Sequence, residues 1–315
     1  MIRFLLKRLL QMIPVLIGIS IVAFLLGILM PGNPAEISLS SEGAYSPSKE
    51  QIKLREEELG LDQSYITQYI NWSKKTLKGD LGTSYKTKKS IKNELKKRLP
   101  NTLTLAMLSL LVTVFLGIAL GLLMAIYQNR LFDQCQQFLS ILFISIPTFW
   151  LGLILMMVLS EKYHLLPTSG LTSLKSWIMP VITLSIANIG SVSRLLRSSI
   201  LNELPQHYIL VAHSKGLKEK YIIFRHAFVN SLLPVIAMIG SMFSGILGGS
   251  VIVENIFAIN GLGKFALEAI NYRDYPALQG YVLLTGIMVV LVNILVDLIY
   301  YCIDPTLSVG GDLNE

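Results

Sequence analysis

The chain has 315 residues, 52% of them hydrophobic and 15% charged, with a mean hydropathy of +0.58; a soluble domain carries about 25% charged residues, so this composition belongs in lipid. The formal charge of +7 does not point to nucleic acid, because no basic cluster is interleaved with aromatics, and Lys and Arg beside membrane helices serve topology and lipid phosphates. Two cysteines, Cys135 and Cys302, both near predicted cytoplasmic helix ends, argue against a structural disulfide.

Each crossing of a bilayer core about 30 Å thick needs roughly 20 apolar residues. The first run, Leu9 to Met30, follows Arg3, Lys7 and Arg8 in the manner of a signal peptide. It is longer than a signal core of about 7–15 residues and no small-x-small cleavage site follows, so it reads as an uncleaved first span. Spans are expected at 9–30, 102–127, 137–160, 177–196, 229–253 and 279–302, about six in all. Thr183, Ser185, Asn188, Ser191 and Ser193 interrupt the fourth. A polar, uncharged helix of that kind faces other helices or a solute path rather than lipid. Gly117 and Gly121 in the second span, and Gly245, Gly248 and Gly249 in the fifth, present small faces suited to close helix contact.

The one large hydrophilic segment, 31–100, opens on the turn cluster Pro31, Gly32, Asn33 and Pro34 and turns charged and amphipathic around Ser48 to Leu61. A small folded cap is expected there, packed on the helices because roughly 70 residues barely support a core of their own. With the amino terminus cytoplasmic, the loops on that side hold Arg3, Lys7, Arg8, Arg130, Arg194, Arg197, Lys215, Lys218, Lys220 and Arg225. The short outer loops hold only Lys162, Lys175, Lys264 and Arg273, which favours both termini inside. The 31–100 segment is itself basic from Lys86 to Arg98, but loops longer than about 60 residues translocate largely regardless of charge.

Between spans four and five, Leu204 to Lys215 is of mixed polarity, Gly216 follows, and Leu217 to Phe228 is basic and amphipathic. The pattern predicts helix, glycine cap, helix. Such a loop is either a connector at the headgroups or a short helix that docks in a groove of another protein. Between spans five and six, Gly261 and Gly263 are expected to form a tight turn and Pro276 to end the connection. Glu254, Arg273 and Asp274 there are solvated loop charges or parts of a gate or docking contact. In span six, Asn293 and Asp297 share a face four residues apart and serve the solute path or, near the helix end, helix packing.

No Gly-x-x-x-x-Gly-Lys-Ser/Thr loop occurs, and no His-Glu-x-x-His, paired-cysteine or Gly-x-Ser-x-Gly pattern. His164, His207, His213 and His226 lie outside the spans and form no metal cage.

At this point the residues resemble a known family. The stretch Tyr208 to Leu217, with Ala212 four residues before Gly216, continuing through Arg225-His226-Ala227-Phe228 to Pro234, looks like the cytoplasmic loop of ABC importer permeases of the oligopeptide, dipeptide and nickel branch. Further matches are Glu254-Asn255-Ile256-Phe257, Gly261-Leu262-Gly263, Ala269-Ile270, Arg273-Asp274-Tyr275-Pro276, the opening Met1 to Pro14, Arg98 to Leu103, and Asp304-Pro305. Where the family signature begins Glu-Ala-Ala this chain has Leu210-Val211-Ala212, and His213 and Ser214 stand where Arg and Ala are frequent.

The resemblance implies an all-α, type I permease with an extracellular cap. Its parts would be a first helix at 1–30, the cap at 31–100, a core at 101–302 containing the coupling loop 197–228, and a tail at 303–315. Tyr208, Ala212, His213, Ser214, Lys215, Gly216 and Leu217 would engage the ATPase. Glu254, Phe257, Gly261, Gly263, Arg273 and Asp274 would gate the path or receive a solute-binding protein. Asn188, Ser191, Asn293 and Asp297 would line the path or pack helices. The implied partners are a second permease, two cytoplasmic ATP-binding subunits that hold the ATP and Mg, and the binding protein; this chain would carry no cofactor or catalytic residue. The implied cargo is peptide first, then nickel or a metal–chelator complex. A self-sufficient transporter or channel is the rival, and would show mid-membrane ionisable residues or inverted repeats.

Overall fold

A computed structural model describes residues 2–29, 31–42 and 46–303. These residues are helical apart from turns, short loops and one isolated antiparallel bridge, Thr83 to Ser90. They divide into two compact units, each described separately below. One takes the residues up to Thr102 together with Asn260–Val290; the other takes Leu103–Ile259 and the residues from Leu291 on.

The first unit begins with α1 (Ile2–Leu29), followed by α2 (Pro34–Ser40), α3 (Lys49–Leu59) and α4 (Tyr65–Leu77). Local chemistry sets these boundaries. Asn33 caps α2 through Ala35 N, Ser48 and Gln51 form a reciprocal capping box on α3, and Gly60 ends α3 at φ +69. α5 (Ile91–Ile126) starts well before the expected span at 102, so the end of the 31–100 segment is the polar beginning of a membrane helix. At 1.5 Å per residue it is about 54 Å long, more than the hydrocarbon requires. α12 (Leu262–Asn271) and the first part of α13 (Tyr275–Ile303) complete the unit. α1 and α13 approach closely at two glycines: a Cβ on Gly27 would strike Gln279, and one on Gly286 would strike Ile19.

In the second unit α6 (Leu131–Ser145) and α7 (Thr148–Leu155, continued by a π turn to Lys162) meet at 101°. The expected span at 137–160 is therefore not one straight helix but a bent pair. Pro147 cannot donate a helical hydrogen bond, and it drives Ile146 to ψ 123. Among the described residues five helices are long and apolar enough to cross a membrane, and a sixth crossing exists if the bent pair counts as one.

α8 (Ile178–Glu203) is the most buried of the five, as its polar composition implies. Its hydroxyls are satisfied: Thr183 donates to Met179 O, Ser193 to Gly190 O, and Ser185 to Ser109 O on α5. Gly117 and Gly121 of α5 lie against Val192, Ser193 and Leu196, and Gly190 against Ser140, so small residues do set these close contacts. On α11 (Phe228–Ile256) the expectation fails. Gly245 and Gly248 face open space within the chain, Gly249 is in ordinary contact with Leu184, and the tight approach falls to Gly240 against Val296.

Candidate functional site

After α8 the chain turns through Leu204 to Gln206 into α9 (His207–Ser214), then α10 (Glu219–Ile222), which a π turn joins to α11. The expected helix, glycine cap, helix is present. Leu217 N bonds Ala212 O at 3.4 Å and Gly216 N bonds His213 O at 2.9 Å, with Gly216 at φ +73. This is a Schellman motif, which needs a left-handed residue where the glycine stands. A Cβ at Gly216 would meet nothing within 4 Å, so only the backbone conformation asks for glycine.

α9 has two unlike faces. Ile209 and Ala212 are buried in an apolar cluster with Val192, Leu196 and Ile200 of α8, Ile222 and Ile223, and Val235 of α11. Ala212 therefore seats the helix and does not itself reach outward. On the other side Leu210 and Val211 are 51% and 54% exposed, with Tyr208, Leu217, His213, Ser214 and Lys215 beside them. Tyr208 donates to Glu203 and accepts from Asn230 Nδ2 at 2.8 Å, tying both ends of the loop. Burial, then the Glu203 hydrogen bond, push its phenol above the usual range.

The 254–276 stretch is different. Glu254 is fully buried in the last turn of α11, and Phe257 packs beside Gly152 while its carbonyl accepts from Gly170 N at 2.8 Å. Both are buried, so Glu254 is not a solvated charge and neither offers a docking surface. Gly261 (φ −109) is the extended residue before α12 and Gly263 lies inside that helix, so the glycines do not make the turns. Ala258 (φ +51) and Arg273 (φ +53) do. Each closes a Schellman motif, the first by Ile259 N to Glu254 O and Ala258 N to Asn255 O, the second by Asp274 N to Ala269 O and Arg273 N to Ile270 O.

Asp274, 2% exposed, is not a solvated or docking charge either. Its carboxylate accepts from Ser84 Oγ, Tyr85 N, Lys86 N and, as the cap of α13, Ala277 N. The bulk of this cradle comes from a loop nearly two hundred residues away in sequence. Burial, with the Asp274 charge next, pushes the Tyr85 phenol up to about 12. Of the six residues expected at a gate or docking surface, only Arg273 is exposed.

The candidate path residues are scattered. Asn188 Nδ2 donates to Leu184 O and Ser191 Oγ to Ala187 O, both spent on their own helix. Asn293 is exposed and Asp297 half-buried. The Asp304-Pro305 motif and the tail lie outside the described residues.

Two family profiles match this chain: "Binding-protein-dependent transport system inner membrane component" over residues 117–309 and its N-terminal companion over residues 1–106. The chain belongs to that family. The permease is 35% identical to the glutathione transport system permease protein GsiC of Salmonella typhimurium over 98% of this chain and 99% of that protein. It is 37% identical to a putative peptide transport system permease protein of Brucella suis, over 95% of this chain and 97% of that one. Its fold is similar to a chain of the MetNI methionine ABC transporter in an inward-facing conformation, with a TM-score of 0.55 and 17% identity over 67% of this chain and 96% of that one. It is thus a multi-pass membrane protein and the permease component of a binding-protein-dependent ABC importer.

Two ion clusters of the permease escaped the sequence reading. Arg197, counted above as a topological charge, makes a bidentate pair with the fully buried Asp133 at 2.6 and 2.7 Å, and Asn129 N and Gln137 Nε2 complete the carboxylate's shell. The pair clasps the first turn of α6 to α8 about two turns before the α9 loop. In the other unit Arg98, 8% exposed, meets Glu94 at 3.3 Å and Glu268 at 3.7 Å and stacks on Phe265, while Lys86 joins Glu268 and covers the Tyr272 ring. The signal available was a charge inside an otherwise apolar helical period, as at Arg197; nothing in the sequence named the partner.

Proposed function

We propose that this permease is one half of a translocation path for peptides, closed by a second permease and driven by two cytoplasmic ATP-binding subunits that dock on α9. The exposed apolar face formed by Tyr208, Leu210, Val211 and Leu217 carries the reading. A helix outside the spans that buries Ile209 and Ala212 in its own protein and still exposes Leu and Val has a second surface to cover. His213, Ser214, Lys215 and Gly216 complete the outer turn. Both termini are cytoplasmic, and the 31–77 region with Arg273 faces the binding protein outside. The names of the relatives, glutathione and peptide permeases, support short peptides as cargo.

Val211→Asp and Leu210→Asp place charges on the outward face without touching the buried seat. Loss of copurification with the ATPase subunit and of ATP-dependent peptide uptake is expected, with the permease at normal level in the membrane. Normal copurification and uptake would reject α9 as the docking element. Uptake of labelled nickel without peptide uptake would reject the cargo. For orientation, a cysteine at Ser48, with Cys135 and Cys302 replaced by serine, should react with an impermeant thiol reagent in intact cells; reaction only after permeabilisation inverts the arrangement.

A further inference from the structure

The span α1 and the short helix α4 belong to the same unit, and their contact lies at a telling depth. Tyr69 OH is 2.7 Å from Ser20 Oγ, and the Tyr69 and Trp72 rings pack on Phe24 with centroids 5.4 and 5.8 Å away. Ser20 lies about 13 Å along the helix from Leu29, where the apolar run ends, and Phe24 about 7 Å. Half of a hydrocarbon core is about 15 Å. A helix whose side chains reach those residues is sunk beside α1 and not held above it.

The sequence of α4 suits that place. Tyr69, Trp72, Ser73 and Thr76 form the stripe turned to the protein, and the flank beside it carries Ile66 (73% exposed), Ile70 and Leu77. The outer face, away from that stripe, carries Thr67, Asn71, Lys74 and Lys75, and Lys78 follows at the C-cap. On α1 the helical neighbours of Ser20 and Phe24, namely Ile17, Ile21 and Leu25, are apolar and exposed as well. α1 is long and apolar enough to be a membrane span, and apolar residues exposed on a span suit lipid.

We propose that α4 is an interfacial helix whose Ile66, Ile70 and Leu77 lie among lipid acyl chains of the leaflet in which α1 ends, with Lys74, Lys75 and Lys78 at the headgroup phosphates. The 31–100 segment is then anchored in the bilayer by α4, with Tyr69 and Trp72 acting as the aromatic belt between protein and lipid. The inference rests on the chain being a membrane protein and not on α9 coupling or on cargo.

The test uses the assembled transporter, with Cys135→Ser and Cys302→Ser in the permease, reconstituted in phosphatidylethanolamine and phosphatidylglycerol bilayers. Nitroxides are placed singly at Ile66, Ile70, Leu77, Asn71 and Lys75, and uptake by each labelled variant shows that it is assembled. Collision with oxygen is expected to exceed collision with a water-soluble nickel chelate severalfold at Ile66, Ile70 and Leu77, with the order reversed at Asn71 and Lys75. Dominance of the nickel chelate at the first three sites would place α4 in water and overturn the proposal. Poor access to both reagents there would mean that a protein, such as the second permease, covers the flank, and would overturn it equally.

Discussion

The α9 loop and the 254–276 loop are the two polar stretches that stand out in the sequence, and they fold in opposite senses. α9 turns apolar residues outward: Leu210 and Val211 are exposed while Ala212 is buried beneath them. The 254–276 loop turns its charges inward, Glu254 fully and Asp274 nearly so. An outward apolar face is left for something else to cover; an inward charge is consumed by its own fold. Glu254, Phe257, Asp274 and Tyr275 of the family motif are therefore held inside this chain while Asn255, Ile270 and Arg273 are exposed, whereas the α9 loop exposes Tyr208, Leu210, Val211 and Leu217 together.

The contrast breaks most visibly at Ala212. Ala212→Asp puts a carboxylate into the apolar cluster and should cost about 3 kcal/mol or more, so the membrane level of the permease should fall along with uptake. Val211→Asp, one residue away, should spare the protein level and affect coupling alone. Equal losses of protein in both variants would mean that α9 has no free face. Next in size is Asp274→Ala, which strands Ser84 and the amides of Tyr85 and Lys86 and uncaps α13, for about 2–4 kcal/mol. Thermal unfolding in detergent reads this as a lower Tm, and Asp274→Asn, which keeps an acceptor, should lose less.

Beside Asp274 the Tyr85 phenol supplies a smaller, pH-dependent effect. Its value of about 12 in the fold lies above the ordinary 10, so burial favours the neutral form. Tyr85 then contributes no pH dependence below about pH 10, where folded and unfolded chains both hold the proton. Between about 10 and 12 only the unfolded chain ionises, and stability falls as pH rises. Tyr85→Phe should flatten that part of the alkaline unfolding curve; an unchanged curve would mean that Tyr85 is open to solvent.

Helical periodicity made the spans legible, and Gly216 with its flanking pattern made the α9 turn legible, because both are local. The bend at Ile146 and Pro147 was also written locally, but the apolar run across it masked the break. What stayed hidden depends on partners far along the chain: Asp133 with Arg197, Ser84 with Asp274, Tyr69 with Ser20. A charge count treats Arg197 and Asp274 as surface groups until the fold supplies the opposite member. Glycine likewise misled at Gly261 and Gly263, since a Schellman turn accepts other residues at some cost, as Ala258 and Arg273 show.

That cost gives the finest test of the comparison. Gly216 and Ala258 occupy the same position of the same motif, each past a helix end and each left-handed, at φ +73 and +51. At Gly216 nothing surrounds a new Cβ, so Gly216→Ala should lose only the backbone preference, about 1 kcal/mol. Ala258 is exposed, so Ala258→Gly removes the reverse penalty, partly offset by the greater freedom of glycine in the unfolded chain, for a net gain of about 0.5 kcal/mol. The two substitutions should thus shift Tm in opposite directions. If Gly216→Ala abolishes uptake while its Tm falls only slightly, the left-handed turn matters to the docked complex more than to the fold. If both substitutions lower Tm, Ala258 is held by its methyl contacts and not strained at all.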